Sequence, residues 1–385
     1  MLEAEEIKFI QEHMHEDASR VALSAKKHPN LDIKKLAGQI QARQKLTEKL
    51  PVWTANYAIC FPQQISLEQA SSEATALFKA KLVQGNLIDI TGGMGVDTWA
   101  FAQTCKHVTY VEQQAELAEH TRYNHQVLGL QNVTHIQGNG LDHLDKDFDW
   151  IYVDPARRDS QGNKVILFKD CQPNVLDLLD KASNTCKILI KTSPVLDISR
   201  AIQELGGVEK VYVIAYQQEV KELLFIKSGQ SSLDPDIEIV ELANSPESFF
   251  SGKLSEEREA NLRIEKVGAY VYEAHPALLK AGFFKLVQGE EIWQLGKHTH
   301  LYSSDAYQSA FPGKKFERIA TGPVQPNWLK AHLPNFRANI STKNFPLKAD
   351  ALRTKLKLKD GGEFTLFAIQ NSEEKNELIL CKKCP

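Results

Sequence analysis

Two segments of the chain carry residues whose types and spacing suit the binding of a nucleotide-like ligand. In residues 87–97, LIDITGGMGVD, an apolar run leads into Asp89 and then into a glycine turn that includes Gly93 and Gly95. Glycines allow a sharp turn, and the backbone of such a turn can approach a ligand closely. Glu112 ends the next apolar run. A carboxylate at that position can accept hydrogen bonds from both hydroxyls of a ribose.

A third segment, residues 137–142 (QGNGLD), suits contact with an adenine amino group. The side-chain oxygen of Asn139 can accept a hydrogen bond from that group, and Asp142 is the competing candidate. A plain turn rich in glycine and asparagine is the alternative interpretation of this segment.

A fourth segment reads Asp154-Pro155-Ala156-Arg157-Arg158 and follows an apolar run. Asp154 or nearby carbonyl groups can orient an exocyclic amine, and Pro155 holds the residue before it extended. Arg157 and Arg158 could bind a phosphate or a carboxylate, or could instead form surface ion pairs. Lys191, at the end of a later apolar run, is equally consistent with a phosphate contact and with an exposed lysine.

The elements that must position these residues alternate between strand and helix. This alternation predicts a parallel sheet with helices on both faces, in which the carboxyl ends of the strands carry the site. The connection between the last two strands is too short for a parallel crossover, so an antiparallel hairpin is expected there. The predicted strands are 87–90, 108–112, 133–137, 150–154, 187–191, 208–214 and 222–227, and the predicted helices are 96–103, 114–128, 173–183 and 197–204.

The flanking regions have a different pattern. Apolar residues at steps of three and four predict N-terminal helices over 5–15, 33–50 and 66–83, the last with Ser66 as its N-cap. Residues 230–245 could be a linker or a pair of strands. Beyond residue 265 an α+β region is expected. Its predicted strands are 267–272, 363–369 and 377–381, its predicted helices are 276–281 and 348–357, and a turn is expected at 360–362.

Composition is that of an ordinary soluble protein. The chain has 385 residues, of which 42% are hydrophobic, and a net charge of -3, so any basic surface must be local. We expect a cytoplasmic protein because the chain opens without a signal-peptide core and has no apolar run of membrane-spanning length. Cys381 and Cys384 form a lone C-x-x-C pair, so no metal site is predicted.

The order of these motifs resembles that of the class I S-adenosylmethionine-dependent methyltransferases over about residues 66–229. The resemblance implies a Rossmann-like sheet, mostly parallel with the last strand antiparallel, and S-adenosyl-L-methionine as the cofactor. An NAD-dependent oxidoreductase is the alternative, but Thr98 stands where its third glycine would be. The cofactor-binding residues that the resemblance implies are Asp89, Thr91, Gly93, Gly95, Asp97, Glu112, Asn139 and Asp154.

Residues 124–133 also resemble RNA guanine-N2 methyltransferases. In the related loop of nucleic-acid amine methyltransferases, a second proline and an aromatic residue follow the first proline. Ala156 and Arg157 replace them here, so a base would have to stack on the Arg157 guanidinium. The resemblance implies Asp154, Pro155 and Arg157 as catalytic residues, and Arg157, Arg158 and Lys191 as substrate-binding residues.

The whole chain resembles a little-characterised bacterial group in which a THUMP-like domain follows the catalytic domain. We predict an N-terminal helical region over 1–84, a methyltransferase domain over 85–230, and a C-terminal α+β region over 231–385 with the THUMP-like domain from about 310. The expected activity is methylation of an exocyclic or ring nitrogen of a base in RNA. The alternatives are a methyltransferase of a small molecule or protein, and a non-catalytic RNA-binding module that retains cofactor binding. The motifs that carry the resemblance are at 61–62, 68–72, 154–158, 272–273, 276–278, 345–347 and 360–362.

Overall fold

A computed structural model describes residues 1–62, 70–145, 147–156, 168–182, 185–243, 248–333 and 335–384. The chain folds as two compact units. One consists of Met1–Val211 and Glu222–Leu233, and the other of Tyr212–Lys221 and Asp234–Pro385. The domain boundaries placed at residues 84, 230 and 310 from the sequence stay a prediction. Among the described helices, none has both the length and the apolar character needed to cross a bilayer.

The first unit contains a sheet in the order β3-β2-β1-β4-β5-β7. All its neighbouring strands are parallel except β7, which runs antiparallel to β5. This confirms the predicted mostly parallel sheet with a reversed last strand. These strands are β1 Asn86–Asp89, β2 His107–Glu112, β3 Val133–Gln137, β4 Trp150–Val153, β5 Lys187–Thr192 and β7 Glu219–Lys227. The strand β6, Lys210–Tyr216, precedes β7 along the chain and belongs mostly to the second unit.

The strands β6 and β7 are joined by the two residues Gln217 and Gln218. Both have positive φ, 52° and 65°, which matches the twist of a tight antiparallel hairpin. The predicted hairpin is therefore confirmed, although β6 begins and ends two residues later than expected.

The helices of the first unit include a group at its N-terminal end. The first three pack on a shared apolar core that includes Phe9, Ile10 and Ile40, and Tyr123 from a later helix packs against the same core. The bounds are α1 Ala4–His13, α2 Ala18–Ala22, α3 Ile33–Leu46, α4 Pro51–Ala55, α5 Glu73–Ala80, α6 Val96–Phe101, α7 Ala115–Val127, α8 Val175–Lys181 and α9 Ile198–Glu204.

One predicted helix start was wrong. The helix α5 begins at Glu73 rather than after Ser66, because the Ser72 hydroxyl caps it by accepting a hydrogen bond from the Thr75 N–H at 3.2 Å. Ser66 itself lies outside the described residues.

The second unit contains two sheets. Residues Tyr212–Tyr216 of β6 lie beside β8 (Asp236–Glu241), which pairs with β9 (Ser248–Gly252). A seven-stranded sheet has the order β11-β12-β10-β13-β16-β15-β14, in which only β14 and β15 are parallel. Its strands are β10 Tyr270–Ala274, β11 Trp293–Gly296, β12 Thr299–Ser304, β13 Gly313–Gly322, β14 Asn339–Lys343, β15 Phe364–Gln370 and β16 Asn376–Lys383.

The described helices of the second unit are α10 Leu254–Glu259, α11 Pro276–Ala281, α12 Pro326–His332 and α13 Ala349–Leu356. Leu329 of α12 and Leu352 of α13 belong to one buried cluster that also contains Leu366 and Leu380 of the large sheet. Both helices therefore cover the same face of that sheet.

Candidate active site

Asp89 ends β1 and is completely buried beneath the glycine loop. The Thr98 hydroxyl donates to one of its carboxyl oxygens at 2.6 Å, and the Thr91 N–H donates to the other at 3.1 Å. Burial raises the pKa of Asp89 to about 7, against the effect of the Thr98 hydrogen bond. The carboxyl group is thus fixed in place and changes its charge near neutral pH.

The carbonyl groups of the glycine loop are held by side chains of β2 and α7. Gly93 O accepts hydrogen bonds from the Tyr110 hydroxyl at 2.7 Å and from the Thr121 hydroxyl at 3.0 Å. Gly95 has a φ of 78°, and a Cβ there would lie 2.4 Å from a methyl group of Thr121. Only glycine fits this position, because the side chains of α7 pack directly against the backbone of the loop.

Two histidines, His125 buried and His135 half-buried, support the same loop. The ring Nε2 of His125 lies 2.9 Å from Gly95 O, so this nitrogen carries the proton. The other ring nitrogen, Nδ1, then accepts a hydrogen bond from Nε2 of His135 at 2.8 Å. Burial lowers the pKa of His125 to about 3 and that of His135 to about 4, so both rings are neutral at physiological pH. Sequence reasoning missed this pair because nothing in the pattern distinguishes it from ordinary core residues.

Glu112, at the end of β2, faces the glycine loop. Its two carboxylate oxygens accept hydrogen bonds from the backbone N–H groups of Gly93 and Gln114, each at 2.9 Å. Each oxygen keeps a second lone pair, and the side chain is only half-buried. The carboxylate is therefore held in one orientation and can still accept hydrogen bonds from a ligand.

Asn139 follows β3 and is exposed. Its side-chain oxygen accepts a hydrogen bond from the Leu141 N–H at 3.3 Å, which caps the short 3-10 turn Gly140–Asp142. Asp142, the competing candidate, is exposed in that turn. Asn139 and Glu112 end neighbouring parallel strands, so the structure brings them to the same edge of the sheet as Asp89.

Asp154 follows β4 and is fixed at two points. Its N–H donates to the Thr91 hydroxyl at 2.8 Å, and its carboxylate forms an ion pair with Lys191 of β5. Burial disfavours the Lys191 charge, but the carboxylates of Asp154, Asp97 and Glu222 outweigh it and raise the Lys191 pKa. The structure thus places Lys191 on Asp154, while its predicted contact with substrate remains a prediction. Pro155 is buried, and Arg157 and Arg158 lie outside the described residues.

A second ion-paired group lies next to this pair. The ammonium of Lys79, completely buried, lies 3.1 Å from a carboxylate oxygen of Asp97 and 2.8 Å from one of Glu222. The other oxygen of Asp97 accepts hydrogen bonds from the hydroxyls of Ser71 at 2.7 Å and Tyr152 at 2.8 Å. The predicted cofactor residue Asp97 is therefore largely occupied by contacts within the protein. We call Lys79, Asp97, Glu222, Lys191 and Asp154 the charge cluster.

Buried side chains of α3 and α7 form hydrogen bonds with the backbone of residues 54–61. Gln39 exchanges two hydrogen bonds of 2.8 Å with the backbone of Phe61, and Asn124 exchanges two, of 2.9 and 2.8 Å, with that of Cys60. Arg43 is completely buried and donates to backbone carbonyls. Its acceptors are the carbonyl oxygens of Thr54, Asn56, Tyr57 and Ile59.

Family models and a solved structure resemble this chain. A model described as a THUMP domain-like domain matches residues 313–383, and one described as a ferredoxin-like domain matches residues 270–312. The crystal structure of a candidate methyltransferase from Porphyromonas gingivalis W83 is 31% identical, covers 100% of both chains and superposes with a TM-score of 0.89.

A curated relative, described as an uncharacterized RNA methyltransferase of Mycoplasma mobile, is 25% identical over 155 residues. That match covers 38% of this chain and 43% of the relative, so the chain spans less than half of the relative's length. The match to the Porphyromonas gingivalis protein covers both chains completely and therefore shows the family. This chain belongs with the Porphyromonas gingivalis protein to the class I methyltransferases that carry a C-terminal THUMP-like domain.

Proposed function

We propose that this protein is an S-adenosylmethionine-dependent methyltransferase that methylates a nitrogen of a base in RNA. The donor would supply a methyl group on a positively charged sulfur. The observation that carries the donor assignment is the Glu112 carboxylate, which backbone N–H groups hold beside the glycine loop with lone pairs to spare. In this proposal Glu112 binds the ribose hydroxyls, Asn139 the adenine, and the glycine loop with Asp89 the methionine part.

Calorimetric titration with S-adenosylhomocysteine tests the donor assignment. We expect micromolar binding, about -8 kcal/mol, to the wild type. The Asp89→Ala/Glu112→Ala double variant should lose it, because it lacks both the carboxyl group under the loop and the ribose acceptor. Absence of binding to well-folded wild-type protein would refute the donor assignment.

We predict that His125→Ala weakens the binding of S-adenosylhomocysteine about tenfold. The substitution removes one of the two hydrogen bonds to the buried Gly95 carbonyl, which keeps only the Trp99 N–H at 2.8 Å, and it also removes the ring that packs against the loop. A hydrogen bond of this kind contributes roughly 0.5–1.5 kcal/mol. His120→Ala, on the same helix, is the matched control and should bind as the wild type does. Equal affinities of the two variants in calorimetry would contradict a supporting role for His125.

We also predict that donor affinity rises with pH between about 6 and 8. The pKa of Asp89 is raised to about 7, so its carboxyl group is mostly neutral at pH 6 and mostly ionised at pH 8. The ionised form attracts the ammonium group of the methionine part, whereas the neutral form does not. Calorimetry of S-adenosylhomocysteine at several pH values measures the effect, and Asp89→Asn should abolish it. A slope that persists in this variant would assign the pH dependence to another group.

The RNA assignment is supported by a basic surface in the THUMP-like region. Residues 323–362 hold eight basic and two acidic residues, whereas the whole chain has a net charge of -3. On the same side of the sheet, the ring of Trp328 stacks on that of His332 at 4.8 Å between centroids. Basic side chains beside stacked rings suit contact with phosphates and bases. The exposed basic residues, with no ion-pair partner among the described residues, are Lys330, Arg337, Lys348, Lys355, Lys357 and Lys359.

Binding of unmodified transfer-RNA and ribosomal-RNA transcripts at several salt concentrations tests this assignment. We expect affinity to fall steeply with salt, and Lys355→Glu/Lys357→Glu to weaken it at least about tenfold. Lys26→Glu/Lys27→Glu makes the same charge change on an exposed N-terminal segment and serves as the control. Equal losses of RNA affinity in the two double variants would show that the basic surface of the THUMP-like region does not bind RNA specifically.

Within the methyltransferase unit, Asp154 is proposed to accept a hydrogen bond from the attacking amine and orient its lone pair. Lys191 and the Thr91 hydroxyl hold Asp154 in place for this role. Pro155 fixes the direction of the chain after Asp154. Arg157 and Arg158 remain proposed contacts to the base and to phosphate. Positioning of the two reactants, rather than covalent chemistry by the protein, would supply most of the rate.

A further inference from the structure

The charge cluster combines three carboxylates with two ammonium groups. Lys79 and Glu222 are almost inaccessible to solvent, with 0% and 4% of their side chains exposed, whereas 34% of Asp154 is exposed. The cluster therefore extends from the interior of the unit to the edge of the proposed active site. Its formal charge is one negative, because Asp97, Glu222 and Asp154 outnumber the two lysines.

The remaining partners of the cluster do not supply a positive charge. Ser71 and Tyr152 contribute neutral hydroxyl groups. Asp89 adds to the negative charge when it is ionised, since it interacts with both Asp97 and Asp154. Among the residues that the structure describes, no third cation pairs with the cluster. Two of the three carboxylates, Asp97 and Glu222, are largely removed from water, so a ligand that supplies a further positive charge is favoured at this cluster.

The cluster lies beside the loop that is proposed to hold the methyl donor. Asp97 is in the first turn of α6, directly after the loop glycines. The backbone of Asp154 is hydrogen-bonded to Thr91, at the start of the same loop. A cation bound on this loop would therefore be close to both Asp97 and Asp154.

We propose that the charge cluster recognises the positive charge on the sulfur of the methyl donor and so favours the donor over the demethylated product. This inference rests on the proposed donor. When the methyl group leaves, the bonding electron pair stays on the sulfur, which becomes neutral, while the acceptor nitrogen forms the new bond with its own lone pair and then releases a proton to water. The cluster is then again one positive charge short, and the product is bound less tightly than the donor.

Calorimetric titration with S-adenosylmethionine and with S-adenosylhomocysteine tests the inference without any acceptor. The measured quantity is the ratio of the two dissociation constants. Lys191→Met removes a positive charge, so the preference for the cationic ligand should grow about fivefold. Glu222→Gln removes a negative charge, so the preference should shrink by a similar factor. Lys187→Met is the matched control, because Lys187 lies at the other end of β5, where it pairs with Glu209, and it should leave the ratio unchanged.

Thermal unfolding of each variant shows whether it is folded. Lys191→Met and Glu222→Gln are expected to change the ratio in opposite directions, so either variant alone is enough to test the inference. A ratio that stays within about twofold of the wild-type value in folded Lys191→Met protein that still binds both ligands would overturn the inference and leave the proposed donor intact. Failure of the wild type to bind either ligand would instead refute the donor assignment and this inference with it.

Discussion

Replacing Asp154 by alanine should lower the rate of methyl transfer to RNA at least about 100-fold, while the affinity for S-adenosylhomocysteine changes by less than about threefold. The carboxylate is fixed by Lys191 and by its own N–H on Thr91, so in the wild type it is ready to orient an amine without rearrangement. Loss of one preorganised polar group at a reacting centre commonly costs 10²–10³ in rate. Transfer of a labelled methyl group to unmodified RNA transcripts measures the effect.

Two further variants separate orientation from charge. Asp154→Asn keeps a hydrogen-bond acceptor of the same shape, so it should be less impaired than Asp154→Ala if orientation of the amine dominates. Asp142→Ala removes an exposed carboxylate from the turn after β3, which β2 and β1 separate from β4, and should transfer methyl groups at the wild-type rate. Transfer by Asp154→Ala within tenfold of the wild type would show that Asp154 does not orient the acceptor.

The sheet could be predicted because its signals are local. A buried parallel strand is a short apolar run, and an acid or a glycine turn marks the point where it ends. Asp89, Glu112 and Asp154 all follow such runs. Since the carboxyl ends of parallel strands meet at one edge of the sheet, correct strand assignment was enough to bring these residues together. The hairpin of β6 and β7 was predictable for the same reason, because its short connection excludes a parallel crossover.

The supporting interactions could not be predicted, because they depend on tertiary contacts. Lys79 and Glu222 are separated by 143 positions in the sequence. Lys79 lies on a helix that reads as an ordinary amphipathic element, so a charged residue there was expected to face water. The sequence was equally consistent with Lys191 as a phosphate contact and as an exposed lysine, and it could not show that the carboxylate of Asp154 lies beside its ammonium group.

The second large effect is expected for Lys79. Lys79→Met should lower the free energy of unfolding by about 3–5 kcal/mol, measured by urea denaturation. Methionine fills the same space but removes the only ammonium within ion-pairing distance of the buried Glu222 among the described residues. Removing one partner of a buried ion pair leaves an uncompensated charge, and this costs more than the pair itself contributes. Lys81→Met, at the exposed end of the same helix, should change stability by less than about 0.5 kcal/mol.

A double variant identifies the physical cause of this loss. Lys79→Met/Glu222→Gln removes both charges, so it should recover a large part of the stability that Lys79→Met loses, even though it carries one more substitution. If the double variant is instead less stable than Lys79→Met, the loss comes from packing and the ion pair is not its source. The helix α5 lies outside the predicted 85–230 domain yet supplies Lys79 to the cluster. Recovery in the double variant would show that this N-terminal helix stabilises the unit by balancing the buried carboxylate of Glu222.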